Sequence, residues 1–251
     1  MIKQIPHRTF FGALAAGVLL LGASAWAATP STKPNIVLMF IDDMGYGDIG
    51  PFGNTVNKTP NLDRMAEEGI KLTQFYVANT ACTPSRAALL TGTYAHRIGM
   101  DGGNGNLVVT FPGDSRGLNP SEITIAEMLR ENGYATGCFG KWHLGDQPEF
   151  MPLNQGFDTY FGIPYSNDMW PQHTARNPIT KRKYEPLPVM KQDKAVAHVA
   201  DEFDQSLLAE VITDEAIAFI EKNQKRPFFC YIPHAHVHYP RHARPEYLER
   251  A

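Results

Sequence analysis

The run Thr-Ala-Cys-Thr-Pro-Ser-Arg-Ala-Ala-Leu-Leu-Thr-Gly, residues 80–92, carries the strongest local signal in the sequence. Its alanines and leucines are good helix formers, Pro84 suits a first helical turn, and Gly92 favours a helix end. The run therefore predicts a short helix with Cys82 at its N-terminus, where free N–H groups and the helix dipole favour an anion. Arg86, one turn later, adds a planar guanidinium that matches a tetrahedral oxyanion.

Cys82 has two interpretations on these residues alone. A free cysteine is more often a small core residue than a reactive group, and the alternative is a nucleophile beside an anion site. The other two cysteines, Cys138 and Cys230, lie inside apolar runs. We expect them to be buried thiols rather than a disulfide, since three cysteines make no disulfide framework.

The bulk properties narrow the class of protein. A length of 251 residues suits one large α/β domain. The formal net charge is −3, so no basic excess favours a nucleic-acid partner. No glycine-rich phosphate loop is present either, which argues against a nucleotide cofactor.

Residues 1–27 have the pattern of a secretory signal peptide. Lys3 and Arg8 precede an apolar run from Phe10, and Ala25-Trp26-Ala27 forms a small-x-small cleavage site. The run is too short and too rich in alanine for a stable membrane span, although a retained anchor is the alternative. We therefore expect the export machinery to deliver residues 28–251 to the periplasm or the exterior, after cleavage near Ala27.

Three apolar runs predict strands buried on both faces of a sheet, and each ends in polar residues. These runs are Asn35–Ile41, Tyr134–Phe139 and Pro227–Ile232. Ile70–Val77 is expected to be a further strand. Ligands bind at the carboxyl ends of strands in open α/β sheets, so the polar residues that follow the runs are candidates for one shared site.

The acids Asp42 and Asp43 follow the first of these strands. Two adjacent carboxylates repel each other, and a hard cation such as Ca²⁺ or Mg²⁺ removes that conflict. A solvated acidic turn is the alternative. Three alternating histidines, at positions 234, 236 and 238, would share one side of an extended segment and permit zinc, but no nearby carboxylate or thiolate completes such a site.

Helices are predicted in three further places. Thr59-Pro60 starts one that Gly69 ends, with Leu62, Met65 and Ala66 as its apolar stripe. Thr124–Asn132 carries a capping box. The run 203–223 is strongly amphipathic, and we assign its apolar face to the sheet. We expect residues 102–119 to form a surface loop and 147–194 an irregular excursion over the active face.

Several motifs together resemble the arylsulfatase type of sulfatase, over nearly all of the chain after the signal. They are Pro34–Val37, Asp42–Gly45, Thr59–Asp63, Cys82–Arg86 followed by Leu89–Gly92, Gly140–Gly145, Gly156–Asp158, Gly162–Ser166 and His238–Pro240. The resemblance implies an alkaline-phosphatase-like α/β fold, with a mixed or parallel sheet flanked by helices, and a bound Ca²⁺. It implies hydrolysis of an aryl or carbohydrate sulfate.

The same resemblance implies a role for each site residue. Cys82 becomes Cα-formylglycine through a formylglycine-generating enzyme, and its hydrate is the nucleophile. Calcium is held by Asp42, Asp43 and residue 82. Arg86 and Lys141 hold the hydrate and its charge. His143 would be the base that expels sulfate, and His238 would assist the leaving oxygen. Ser166 and His236 would lie on the substrate side of the site.

The family completes its calcium site with a later Asp-Asn pair and its sulfate site with a later lysine, and this sequence ends at Ala251 without them. We therefore expect residues 28–251 to be an incomplete catalytic domain that lacks its C-terminal part. Two alternatives stay open. One is a phosphodiester or phosphonate monoester hydrolase of the same superfamily, and the other is an inactive shortened chain that binds sulfated glycans.

Overall fold

Six strands form a mixed sheet in a computed structural model that describes residues 33–103, 107–172 and 183–248. In space they run in the order β1-β6-β2-β3-β4-β5. The pairs β1–β6, β6–β2 and β2–β3 are parallel, whereas β3–β4 and β4–β5 are antiparallel. The strands are β1 Ile36–Ile41, β2 Ala135–Lys141, β3 Thr159–Ile163, β4 Leu187–Lys191, β5 Lys194–Val199 and β6 Phe228–His234. The signal peptide predicted over residues 1–27 lies outside the described residues.

The α-helices confirm the four helices predicted from the sequence, including the one that begins at Cys82. Thr124 and Glu127 form the expected capping box, and Asp201 caps the longest helix by accepting from the Asp204 N–H. No helix in the described parts of the chain is long and apolar enough to cross a membrane. The α-helices are α1 Pro60–Glu68, α2 Cys82–Thr91, α3 Ile125–Glu131, α4 Glu202–Lys222 and α5 Pro245–Leu248, and short 3-10 helices cover Tyr46–Asp48, Gly50–Phe52, Ala95–Ile98, Pro148–Phe150 and Pro152–Asn154.

Helices cover both faces of the central strands, and this confirms the α/β class. On one face, α4 packs Ile212 and Phe219 against β2 and β6. On the other, Leu90 of α2 and Leu129 of α3 belong to a second apolar cluster with residues of the same two strands. The sheet is therefore the middle layer of a three-layer arrangement.

The two core cysteines lie on opposite faces of the sheet. In the register of β2 and β6, Cys138 is opposite Tyr231, while Cys230 is opposite Gly137. Because side chains alternate along a strand, this offset of one residue sends the two thiols to different faces. Both are fully buried and free, so the prediction of two core thiols is confirmed.

The prediction of a strand over Ile70–Val77 is wrong. The segment has no regular structure, and its large side chains are exposed, Ile70 at 90% and Tyr76 at 74%. The physical reason is visible at Phe75, whose N–H and C=O both bond to the Tyr46 hydroxyl, at 3.0 and 2.6 Å. The Tyr46 side chain thus makes the hydrogen bonds to Phe75 that a neighbouring strand would otherwise make.

The prediction of an irregular excursion over residues 147–194 is also wrong in part, because β3, β4 and the first residue of β5 lie in it. These strands are short, and β5 is exposed along most of its length. The turn between β4 and β5 uses Gln192 at a φ of +57°. Its side chain extends the pairing by accepting from the Tyr160 N–H at 2.8 Å. The exposed strand β5 carries no apolar alternation for the sequence to display.

The strand β1 is buried on one face only, contrary to the prediction of two. Val37 and Met39 are 48% and 53% exposed, whereas Leu38 and Phe40 pack against the cluster that contains Leu90. A run of apolar residues does not reveal which face is covered. In the same way Met65, predicted in the apolar stripe of α1, is exposed.

The two isoleucines of α4 offer a test of this packing. Ile212 is fully buried against the sheet, whereas Ile217, on the same helix, is about half exposed. We expect Ile212→Ala to lower the free energy of unfolding by about 2–4 kcal/mol, because it leaves a cavity under the helix. Ile217→Ala, the matched control, should cost about 1 kcal/mol or less. Urea unfolding of the full-length protein measures both, and equal losses would contradict the assigned face.

Candidate active site

The carboxyl ends of β1, β6 and β2 meet at one edge of the sheet, because these strands are parallel neighbours. Asp42 follows β1, and Lys141 is the last residue of β2. The helix α2 begins beside them, so Arg86, at its fifth residue, reaches the same place. The structure therefore brings together residues that are up to 99 positions apart in the chain.

One carboxylate oxygen holds two cations at this edge. The Oδ2 atom of Asp42 accepts from Lys141 Nζ at 2.6 Å and from Arg86 Nη2 at 2.9 Å. All three side chains are buried. Burial alone would raise the pKa of Asp42, but the charges of Lys141 and Arg86 outweigh that effect and leave its pKa below the ordinary value. Asp42 is therefore ionised at neutral pH.

Further hydrogen bonds fix the two cations. Lys141 Nζ donates to Ser166 Oγ at 2.9 Å, and Arg86 Nη1 donates to the Lys141 carbonyl at 2.8 Å. The Nε atom of Arg86 is buried and has no hydrogen-bond partner among the described residues. Two buried cations thus share one buried carboxylate, so the buried groups carry one excess positive charge, while the second carboxylate at the pocket, Asp43, is exposed to solvent. Among the buried groups alone, this balance favours an anion in the space beside them.

That space is a pocket of about 180 Å³ at the start of α2. Cys82 is the first residue of the helix, is half-buried and lines the pocket together with Asp42, Asp43 and Arg86. The helix ends at Gly92 with a φ of +65°, as the sequence predicted. The position of residue 82 combines a helix N-terminus with a local excess of positive charge, and both favour an anion.

His143 approaches the site from the loop after β2. Its Nε2 lies 3.0 Å from the Thr110 carbonyl, which can only accept, so Nε2 carries the proton and Nδ1 the lone pair. The Nδ1 atom is buried and has no partner among the described residues. Burial, together with the charges of Lys141 and Arg86, holds the pKa of His143 well below its ordinary value. The imidazole is therefore neutral.

Two threonines connect His143 to the start of α2. Thr83 Oγ1 donates to the His143 carbonyl at 2.9 Å and accepts from the Thr110 N–H at 3.2 Å. The sequence analysis missed Thr110, because it acts mainly through backbone atoms that any residue could supply. Thr83 lies inside the motif that drew attention to Cys82, but nothing in the sequence indicated its partners.

The histidines at 234, 236 and 238 do not share one side, because the strand ends at His234 and the chain then turns. The rings of His234 and His236 are 5.6 Å apart, whereas His238 Nε2 lies 3.9 Å from Asp43 Oδ2. The backbone of His236 and Val237 bonds to Asp42 on both sides, at 3.1 and 2.7 Å. The three histidine rings therefore do not converge in the way that zinc ligands would have to.

The carboxylates at the pocket suit a hard cation. Asp42 and Asp43 both line it, and Asp43 adopts a φ of +58°, which Asp tolerates better than most residues. Within residues 33–103, 107–172 and 183–248, no group of three His, Cys, Asp or Glu side chains is arranged to hold a metal ion. Because Ca²⁺ takes six to eight oxygens, the two aspartates and an oxygen at residue 82 would provide only part of a coordination shell.

Comparisons with known proteins show the family of this chain. A model of the sulfatase family matches residues 34–251. The chain is 40% identical over 243 residues to human arylsulfatase A, a match that covers 93% of this chain and 46% of that protein. It is 37% identical over 241 residues to the N-acetylgalactosamine-6-sulfatase of Canis lupus familiaris, with 92% and 45% covered.

Solved structures give the same result. The PsFucS1 sulfatase from Pseudoalteromonas sp. superimposes with a TM-score of 0.74 at 28% identity, covering 87% of this chain and 47% of that one. The chain thus spans about half the length of the relatives that it matches.

The protonation of His143 can be tested by NMR. We expect its ¹⁵N shifts to show a neutral ring protonated at Nε2 at about pH 6.5, where a free imidazole is half protonated, because burial and two nearby cations lower the pKa of His143. In the urea-unfolded protein the same ring should titrate near about pH 6.5. Folding stability should therefore decline as pH falls below about 6.5, where only the unfolded chain takes up the proton.

A His143→Gln variant identifies the signal in these spectra. An imidazolium at position 143 of the folded protein at about pH 6 would contradict the assignment.

Proposed function

Because the chain belongs to the sulfatase family, we propose that its full-length protein hydrolyses sulfate esters and releases inorganic sulfate. The observation that supports this most directly is the pair of buried cations, Arg86 and Lys141, that faces the single carboxylate of Asp42 beside residue 82. Such a site suits an oxyanion. The names of the relatives point to aryl and carbohydrate sulfates as the substrate classes.

Residue 82 would provide the nucleophile. We infer that a formylglycine-generating enzyme converts Cys82, which is half-buried and lines an accessible pocket. The hydrated formylglycine supplies one hydroxyl that attacks sulfur and a second hydroxyl through which sulfate is later expelled. The two core thiols, Cys138 and Cys230, are fully buried and have no access to such chemistry.

The cationic side chains would stabilise negative charge. Arg86 and Lys141 are held in place by Asp42, and Ser166 fixes Lys141 Nζ from the other side. Donors that are already oriented need little reorganisation when charge develops on the sulfate oxygens, and this is the source of their effect.

His143 is suited to remove a proton. Its neutral ring has a lone pair on the buried Nδ1, and the Thr110 carbonyl fixes the tautomer by accepting from Nε2. A base of this kind must be unprotonated at the working pH. His238 Nε2 lies 3.9 Å from Oδ2 of Asp43, which lines the pocket, and we propose that His238 contacts the sulfate and the departing oxygen.

We further propose that Asp42 and Asp43 hold Ca²⁺ together with an oxygen of residue 82. When bound, the ion would supply positive charge to the sulfate oxygens. The ordinary preference of Ca²⁺ for carboxylates supports this assignment, as does the convergence of the two aspartates on one pocket.

A cysteine comparison tests the nucleophile. The full-length protein, produced together with a formylglycine-generating enzyme, should hydrolyse 4-nitrophenyl sulfate. Cys82→Ala should lower kcat/KM by roughly 10³-fold or more, because the covalent step is lost. Cys138→Ala, which removes a fully buried thiol, should retain most of the activity. Equal rates in Cys82→Ala and the wild type, or a preference for a phosphate diester over the sulfate, would refute the proposal.

A second test concerns the metal and does not depend on turnover. We expect Ca²⁺ to raise the Tm of the full-length protein by several degrees, because a ligand of the folded state stabilises it. Asp43→Asn should remove most of this rise without distorting the backbone, since Asn also tolerates a positive φ. Glu131→Gln, on an exposed acid at the end of α3, is the matched control and should respond as the wild type does. An unchanged response in Asp43→Asn would exclude Asp43 as a ligand.

A further inference from the structure

The residue that follows Cys82 holds the backbone of the proposed base. Thr83 is the second residue of α2, and its side chain is buried, as is that of His143. The Thr83 hydroxyl donates to the His143 carbonyl at 2.9 Å and accepts from the Thr110 N–H at 3.2 Å. Both hydrogen-bonding functions of this hydroxyl are therefore directed at the two segments that surround the imidazole.

Thr110 returns these contacts to the imidazole. His143 Nε2 lies 3.0 Å from the Thr110 carbonyl, and the Thr110 hydroxyl donates to the His143 carbonyl at 3.4 Å. The N–H and the carbonyl of Thr110 belong to adjacent planar peptide units. Because Thr83 holds the N–H of one unit, it limits the movement of the neighbouring carbonyl, which fixes the tautomer of the ring.

The backbone of His143 needs this support. Its φ is +58°, in the left-handed region that residues other than glycine adopt rarely and at a cost in free energy. Such a conformation persists only where the surroundings hold it. The His143 N–H donates to the Pro164 carbonyl at 3.0 Å, and Thr83 makes the shorter of the two hydroxyl bonds to the His143 carbonyl.

The nucleophile and the support of the base are adjacent in the chain. Residue 82 and Thr83 are the first two residues of α2 and share one rigid peptide unit. The position of the free His143 Nδ1 relative to residue 82 therefore depends on the Thr83 hydroxyl. A misplacement of roughly 1 Å at a reacting group can lower a rate by about 10²-fold.

From these contacts we propose that Thr83 is a positioning residue for His143 and acts in the step that expels sulfate. In that step, His143 Nδ1 takes the proton of the remaining hydroxyl of residue 82. The oxygen of this hydroxyl becomes the aldehyde oxygen as the bond between carbon and the sulfate oxygen breaks, and sulfate leaves with the bonding electron pair. The proposal rests on the sulfatase function proposed above and adds to it a residue that acts through the base.

Thr83→Val removes the hydroxyl and nearly keeps the shape of the side chain. In the full-length protein, produced with a formylglycine-generating enzyme, we expect it to lower kcat for 4-nitrophenyl sulfate about tenfold or more. The ratio kcat/KM should stay within about twofold of the wild type, because it reports only the steps up to the release of 4-nitrophenol. In a rapid-mixing experiment the first equivalent of 4-nitrophenol should appear at the wild-type rate, and only later turnovers should be slow. Thr83→Ser, which retains a hydroxyl, should restore most of kcat.

Thr136 of β2 provides a matched control. It is fully buried, and its Oγ1 also donates to a carbonyl and accepts from a backbone N–H, those of Gly156 at 2.8 Å and Asp158 at 3.0 Å. Thr136→Val should therefore destabilise the fold about as much as Thr83→Val does, but it should leave kcat unchanged. Four results would overturn the positioning role: an unchanged kcat in Thr83→Val, equal losses of kcat in the two valine variants, a first turnover as slow as the later ones, or a Thr83→Ser variant as slow as Thr83→Val.

Hydrogen exchange tests the positioning without turnover. The Nε2 proton of His143 should exchange with water about tenfold faster or more in Thr83→Val than in the wild type and in Thr136→Val, because the carbonyl that holds it is released. This result stands even if the protein cleaves no sulfate ester, and equal exchange in all three proteins would overturn the positioning role alone. Thr83→Ala removes the same hydroxyl without adding a methyl group and replaces Thr83→Val if that variant does not fold. A wild-type Nε2 proton that exchanges as fast as that of the exposed His96 would also overturn the proposal.

Discussion

The Asp42 carboxylate is the element on which the rest of the site depends. Its Oδ2 holds Arg86 and Lys141 at hydrogen-bond distance in a buried environment. Burying charges is expensive, and breaking such an arrangement by removing one partner leaves an uncompensated charge in the interior. The carboxylate thereby fixes the start of α2 relative to the ends of β1 and β2, and it neutralises one of the two buried positive charges. The same ion pairs thus hold the helix and the strands together and orient the two cations.

The geometry around this ion cluster explains why the neighbouring groups are so well placed. The helix start is anchored a second time by Thr83, which bonds to the His143 carbonyl and to the Thr110 backbone. His143 consequently has a fixed tautomer, and its free nitrogen has no alternative partner among the described residues. A site whose members rest on strand ends and a helix terminus needs little reorganisation during a reaction, and this is where much of the catalytic benefit of such sites arises.

Sequence reasoning found the parts of the site that depend on side-chain chemistry at strand ends. Asp42 and Lys141 stand out because each follows apolar residues of a strand, and Arg86 because it follows a helix start. Thr110 could not be predicted from the sequence, because its contact with His143 is made by the backbone carbonyl, which every residue has. Residues 70–77 have the composition of a strand, but the Tyr46 hydroxyl takes both backbone groups of Phe75. The strand β5 was not predicted because most of it is exposed and shows no alternation. A local pattern can be recognised within one segment of the sequence, but the segment with which it pairs cannot.

The proposed function depends most on the chemical state of residue 82, because the nucleophile proposed above is formed from this residue. Mass spectrometry of the peptide that carries residue 82, isolated from the protein of its own host, measures this state directly. The account predicts that the thiol is replaced by the aldehyde of formylglycine in most molecules. An intact cysteine at this position in the active protein would contradict it.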